Sequence, residues 1–228
     1  MISSQTWSNN KLNIIGSRKK ILAKISLYIR KKQYSLFNKY LRPNNLKSII
    51  DIGVTPDEIL VDSNFFEYIY PYKNNLIIAS VEDCEQLVKK FNVKKFVKLK
   101  AGTKYPFKKN EFDILTSWAT LEHVGGLNEQ KLFLSELNRI GKSFFITTPY
   151  RFFFYELHTG LLFIHWLPPR VFRKILKMLG MTFWANERYL NLLSITDLNK
   201  ILPQDKLIKV EIFYSFGFLP THILIYKN

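Results

Sequence analysis

The chain has 228 residues, 47% hydrophobic and 15% aromatic, enough for one well-packed domain and too few for two of full size. Its single cysteine, Cys84, excludes a disulfide framework and any cysteine-rich zinc site. The net charge is +16, of which +11 precedes the first acidic residue, Asp51; the basic excess belongs to the N-terminal stretch, which argues against a nucleic-acid groove across the rest.

Residues 1–10 are polar, with no apolar leader pattern. No apolar run approaches the roughly 18 residues of a membrane span, so a cytoplasmic location is expected. Residues 18–41 are predicted helical, because Leu22, Ile25, Ile29, Leu36 and Tyr40 recur at near-helical spacing among lysines and arginines. Pro43 stops that helix, since the residue before a proline avoids the α region. Short apolar runs then alternate with helical stretches. Strands are expected at 48–52, 76–79, 96–99, 112–117 and 143–147, and helices at 59–70, 84–91, 129–140 and 171–179. Such alternation implies a parallel sheet with right-handed crossovers. The runs 207–214 and 222–226 break the rhythm, because the link between them is too short for a helix and they should pair antiparallel. The expected fold is a Rossmann-like three-layer α/β sandwich. Its seven-stranded sheet is mostly parallel and ends in a C-terminal antiparallel hairpin. The expected organisation is a basic helical extension over 1–45 and one domain over 46–228, with an aromatic-rich insert at about 150–170.

The turn after the first strand reads Asp51-Ile52-Gly53-Val54-Thr55-Pro56-Asp57-Glu58. Gly53 allows a tight turn and close approach of a ligand. Thr55 as N-cap, Pro56 at N1 and Glu58 at N3 predict a capping box and a helix start. Asp57 and Glu58 would set two negative charges where a pyrophosphate would sit, and G-x-G-x-x-G is absent, so NAD and FAD are disfavoured. A cationic, phosphate-free cofactor tolerates those carboxylates. The ordinary alternative is that Asp51-Ile52-Gly53 is only a strand-to-turn junction.

Ile50-Asp51-Ile52-Gly53 resembles the first glycine-rich motif of class I S-adenosylmethionine-dependent methyltransferases. Tyr105-Pro106-Phe107 with Glu111-Phe112-Asp113-Ile114-Leu115 resembles their stretch around the fourth strand. Ser117-Trp118-Ala119-Thr120-Leu121-Glu122-His123-Val124 is similar to the segment that follows it in the type 11 branch, and Phe145-Ile146-Thr147-Thr148-Pro149 to the fifth strand. The resemblance covers about residues 46–228. It looks closest to methyltransferases of bacterial surface-polysaccharide clusters. It implies a methyltransferase-like domain that holds S-adenosylmethionine over Gly53, against Ser117 and Trp118, with Asp51 facing the amino group. It also implies an acid at the end of strand two for the ribose hydroxyls. Here Ala79-Ser80-Val81 occupies that place and Glu82 or Asp83, just beyond, would serve, unless they only cap the next helix. Two glycines of the first motif are replaced by Val54-Thr55-Pro56. Lys100-Ala101-Gly102 stands where the family commonly has an acid near the adenine.

Methyl transfer is an in-line displacement that mainly requires alignment and exclusion of water, and a hydroxyl acceptor profits from a base. All four histidines lie beyond the fourth strand. His123 is the expected base, because it follows that strand at the carboxyl edge of the sheet, where ligands bind in such folds. The ordinary alternative for it is a capping or packing role. Glu156-x-His158 with His165 has weak metal-ligand spacing, and no metal is expected. The aromatic run over 150–169 would wall an apolar pocket, touch a lipid carrier or pack on itself.

The expected function is methyl transfer to a small or lipid-linked acceptor, a sugar hydroxyl of cell-surface polysaccharide among them. The rivals are a non-catalytic methyltransferase-like binding or scaffold protein and a basic membrane- or RNA-binding module. The basic helix over 18–41 would either dock its apolar side on the domain or attach peripherally to anionic lipid at the inner face of the membrane. No nucleic acid is expected, for no recognised binding motif accompanies the charge.

Overall fold

The computed structural model describes residues 16–57 and 63–228. In chain order the elements are α1 (Gly16–Leu41), β1 (Ile49–Ile52), α2 (Phe65–Ile69), β2 (Leu76–Ser80), α3 (Gln86–Phe91), β3 (Lys95–Lys98), β4 (Phe112–Trp118), α4 (Leu127–Ile140), β5 (Gly141–Pro149), α5 (Pro169–Met178), α6 (Ile195–Ile201), β6 (Lys209–Ser215) and β7 (Leu219–Lys227). Seven strands form one sheet in the order β3-β2-β1-β4-β5-β7-β6. The pairs β1–β2, β1–β4 and β2–β3 are parallel, and β6–β7 is antiparallel. This is the expected Rossmann-like sheet with its terminal hairpin. Phe216 and Gly217, both at positive φ, turn the hairpin between its strands.

The chain divides into two compact units. Of the described residues, one holds those up to Ser117 with Arg139–Phe145 and Asn228; the other holds Trp118–Asn138 and Ile146–Lys227. In the first, β1 and β2 are buried along their whole length, as parallel strands covered on both faces must be. From α1, Ile29, Phe37 and Leu41 are buried in this core, and the Phe37 ring packs on Phe66 at 5.5 Å and on Phe145 at 5.9 Å; of the expected stripe, Ile25 is exposed and Leu36 and Tyr40 are half-buried. In the second unit, Leu121, Phe133, Leu134, Leu137, Leu198 and Ile223 are among the buried side chains.

Two local expectations change. Thr55 and Pro56 do not begin a helix: Asn64 takes the Thr55 N–H on its Oδ1 (3.1 Å) and donates to the carbonyls of Thr55 (2.9 Å) and Asp57 (3.0 Å). A side chain nine residues on thus satisfies the backbone that the capping box was to satisfy. Glu58, and the expected helical residues 59–62, lie outside the described residues. The helix α6 has no counterpart among the expected elements; Ser194 caps it by accepting from the Asp197 N–H (3.1 Å) and donating to the Asp197 carboxylate (2.6 Å).

Candidate active site

In the first unit the strand ends carry the expected cofactor residues. Gly53 sits at φ 105°, a conformation that glycine adopts without steric cost, and its N–H donates to the Ala79 carbonyl at 2.8 Å. Asp51 is buried in β1, opposite Ile78 and Thr116. Its carboxyl accepts from the Thr116 hydroxyl and shares a hydrogen bond with Glu67, also buried, from α2. Burial, and then the charge of Glu67, push Asp51 well above the ordinary carboxylate range; burial raises Glu67 as well. Two acids side by side in a buried site favour keeping a proton between them. Ser117 is buried, and its hydroxyl donates to the Ile52 carbonyl at 2.7 Å, tying β4 to the end of β1.

Past β2, Asp83 accepts the Glu85 N–H at 3.2 Å and so shapes the turn into α3. Glu82 is half-buried, and burial raises its pKa while Lys98 pulls it down. Lys100 is exposed in the turn after β3.

In the second unit Trp118 is buried and Ala119 turns the chain at φ 51°, its N–H donating to the Thr147 carbonyl at 2.9 Å. The segment that follows carries Glu122 and His123. Glu122 is buried, and its Oε2 accepts from the Thr148 hydroxyl at 3.0 Å. His123 Nδ1 lies 2.7 Å from the Tyr189 carbonyl, so Nδ1 carries the proton and Nε2 the lone pair. That second nitrogen stands 3.7 Å from Glu122 Oε1. The Tyr189 stretch is held in place by a buried amide pair. Gln130 donates to the carbonyls of Leu121 and Asn191, both at 2.9 Å, and accepts from the Asn191 amide at 3.0 Å. The Asn191 N–H donates to the Glu122 carbonyl at 2.8 Å.

The aromatic insert brings in His158. Its Nδ1 donates to Glu156 Oε1 at 2.7 Å, and its ring meets the His123 ring edge-on at 4.8 Å and the Trp184 ring at 5.1 Å. Burial would raise Glu156, but His158 and the N–H groups of His158 and Thr159 outweigh it and hold the carboxyl at about 2. His165 is not gathered with Glu156 and His158 as the spacing suggests: its Nε2 lies 2.6 Å from the Phe153 carbonyl. The insert is built from turns and one short 3₁₀ helix, Ile164–Trp166. Arg151 braces it by donating to the carbonyls of His165 (3.2 Å) and Leu167 (2.8 Å), and Phe152, Phe154, Leu162, Phe163, Trp166 and Leu167 stay exposed.

His123 is legible in the sequence and its setting is not. Thr148, Tyr189, Gln130 and Asn191 carry no local motif, and only the chain's path brings them to it.

Residues 70–144 match the family model described as Methyltransferase domain. The chain has the class I methyltransferase fold. A Pyrococcus horikoshii OT3 protein is 12% identical over 95% of this chain and 92% of its own, with a TM-score of 0.54. The magnesium protoporphyrin IX methyltransferase of Synechocystis PCC 6803, solved with bound SAH, is 12% identical over 97% of this chain and 93% of its own, at 0.51. A Rhodobacter sphaeroides protein described as a Zn-dependent alcohol dehydrogenase is 9% identical over 86% of this chain and 90% of its own, at 0.56. Identities this low establish the shared fold and leave the chemistry to the site. No curated protein matches the chain. The family match over residues 70–144 and the shared fold agree with the class I resemblance. Among the described residues no helix is long and apolar enough to cross a membrane.

Proposed function

We propose that the chain transfers a methyl group from S-adenosylmethionine to a hydroxyl of a small or lipid-linked acceptor. The observation that carries this reading is the match of residues 70–144 to the methyltransferase domain, within a sheet of the class I strand order. Bound, the cofactor supplies an activated methyl on a sulfonium. The residues of the first unit fit its chemistry in kind. Gly53, at positive φ and without a side chain, suits close approach of a ligand to the end of β1. The half-buried Glu82 carboxylate, beyond β2, suits ribose hydroxyls, with Asp83 beside it. Asp51 and Ser117 act from beneath by fixing the strand ends on which the ligand rests. His123 carries its lone pair on Nε2 and takes the acceptor proton. The exposed rings of the insert offer apolar faces suited to a sugar or a lipid tail, so a lipid-linked sugar hydroxyl is the acceptor class we assign. Peripheral attachment of the basic helix to an anionic membrane surface would keep such an acceptor close.

Calorimetry with S-adenosylmethionine and S-adenosylhomocysteine tests the reading. We expect binding of both by the wild type, and a loss of at least about tenfold for Glu82→Ala with Asp83→Ala, since two hydrogen bonds to a charged acceptor go at once. Absence of binding by the folded wild type would favour the scaffold reading instead.

A further inference from the structure

Glu122, His123 and His158 each present one ligand atom within 4.8 Å of the other two. They come from the segment after β4 and from the insert, separated by some 35 positions in the chain. We propose that these three side chains bind one divalent ion of the zinc class, leaving a fourth position for an oxygen ligand.

The first argument is the donor set. Two imidazoles and one carboxylate are the ligands of catalytic zinc sites that keep a place open, and they suit a borderline-soft ion better than calcium or magnesium. The second is the tautomer of each ring. A metal-binding histidine almost always donates its other N–H to a carboxylate or a backbone carbonyl, which fixes the ring and makes the ligating nitrogen more basic. Both rings have that partner: His123 Nδ1 meets the Tyr189 carbonyl at 2.7 Å, and His158 Nδ1 meets the Glu156 carboxylate at 2.7 Å. In each ring Nε2 is then the nitrogen with the lone pair. The third is the anchoring of the carboxylate: Thr148 holds Oε2 of Glu122 at 3.0 Å, and Oε1 stands 3.7 Å from His123 Nε2. Ligands about 2.1 Å from a tetrahedral ion lie about 3.4 Å apart, so modest side-chain rotation closes the site. The fourth argument is access. Glu122 is fully buried, whereas the His123 and His158 side chains are 15% and 10% exposed, so the histidine edge admits an ion.

This inference deepens the proposed methyl transfer and rests on it only for its role. The Nε2 lone pair that would take a proton holds the ion instead. The acceptor hydroxyl, at the open position, would be polarised by the ion and pass its proton to solvent water at the exposed histidine edge, so that the ion takes over from His123 the activation of the hydroxyl.

The test uses the full chain, free of any histidine tag, stripped with chelator and dialysed. Zn²⁺ is titrated by calorimetry and Co²⁺ by its visible absorption. Quenching of tryptophan fluorescence by Co²⁺ is followed in parallel, because the Trp184 ring is 5.1 Å from the His158 ring. One ion per chain is expected, with the absorption of a low-symmetry Co²⁺ site. His158→Gln should abolish that spectrum. Glu156→Gln, which touches no ion, should weaken affinity about 10–100-fold. His222→Gln should leave binding unchanged. Circular dichroism confirms that each variant is folded, and His158→Gln, at a partly exposed position, keeps the test open if Glu156→Gln does not fold. The proposal is overturned if the wild type binds no Co²⁺ or Zn²⁺, or if binding survives His158→Gln unchanged. The same metal-free samples are titrated with S-adenosylhomocysteine. Its binding without any metal binding overturns this inference and leaves the methyl-transfer reading standing; metal binding without it does the reverse.

Discussion

At the scale of residues, the buried pair Asp51–Glu67 makes a pH-dependent contribution whose sign follows from its direction. Burial and the neighbouring carboxyl raise Asp51 from 3.8. A raised acid contributes stability that is fully present below that value and is lost as pH climbs through the folded pKa, because the unfolded chain gives up the proton more readily. Asp51→Asn keeps the shape and can still donate to Glu67. Thermal unfolding should therefore show the variant less sensitive to alkaline pH than the wild type, with the two converging near pH 4. Equal slopes would mean that the pair holds no proton. Asp51 is legible in the sequence as the acid ahead of Gly53. Glu67 is not, because among its apolar neighbours it reads as a helix-surface residue. His123 and His158 both stand out in the sequence, yet spacing alone groups His158 with His165. Spacing cannot say that the insert folds so that His158 meets His123 while His165 is taken up by the Phe153 carbonyl.

At the scale of elements, strands and hairpin are the most legible parts, because each is written in a continuous apolar run. The unexpected element, α6, carries only a short Ser194-x-x-Asp197 signal and one turn or two of helix. The misplaced start near Thr55 shows the converse: a well-formed capping signal lost to Asn64, whose amide reaches the same backbone groups from nine residues away. The helix α1 is legible as amphipathic, but its sequence leaves open whether the apolar side meets protein or lipid. Phe37 is fully buried against Phe66 and Phe145, so the face bearing Ile29, Phe37 and Leu41 meets protein, whereas Ile25 of the expected stripe stays exposed. Phe37→Ala should cost about 3–5 kcal/mol in denaturant unfolding. A loss below about 1 kcal/mol would mean that α1 is a detachable appendage.

At the scale of the whole molecule, +16 is a large charge for 228 residues, and +11 of it falls within the first 50. With Ile29, Phe37 and Leu41 of α1 turned inward, attraction to an anionic surface rests on its lysines and arginines, beside the exposed Ile25 and Tyr28. Such attraction decays within about 8 Å at physiological ionic strength. Sedimentation with phosphatidylserine-containing vesicles should thus show binding at low salt that is released by several hundred millimolar salt, and none to neutral vesicles. Salt-resistant binding would point to insertion of the exposed insert rings rather than to the basic helix.

The strand β5 is divided between the two compact units, Gly141–Phe145 belonging to one and Ile146–Pro149 to the other. A ribosome must therefore make Trp118–Asn138 before it can deliver the piece that completes the earlier unit. At ~5–20 residues per second that takes about one to four seconds. Throughout that interval β4 has β1 on one side and a bare edge on the other, with Ile114 and Leu115 in its middle. The nascent chain is most open to sticky encounters at this stage, and a chaperone that shields strand edges has its natural client here.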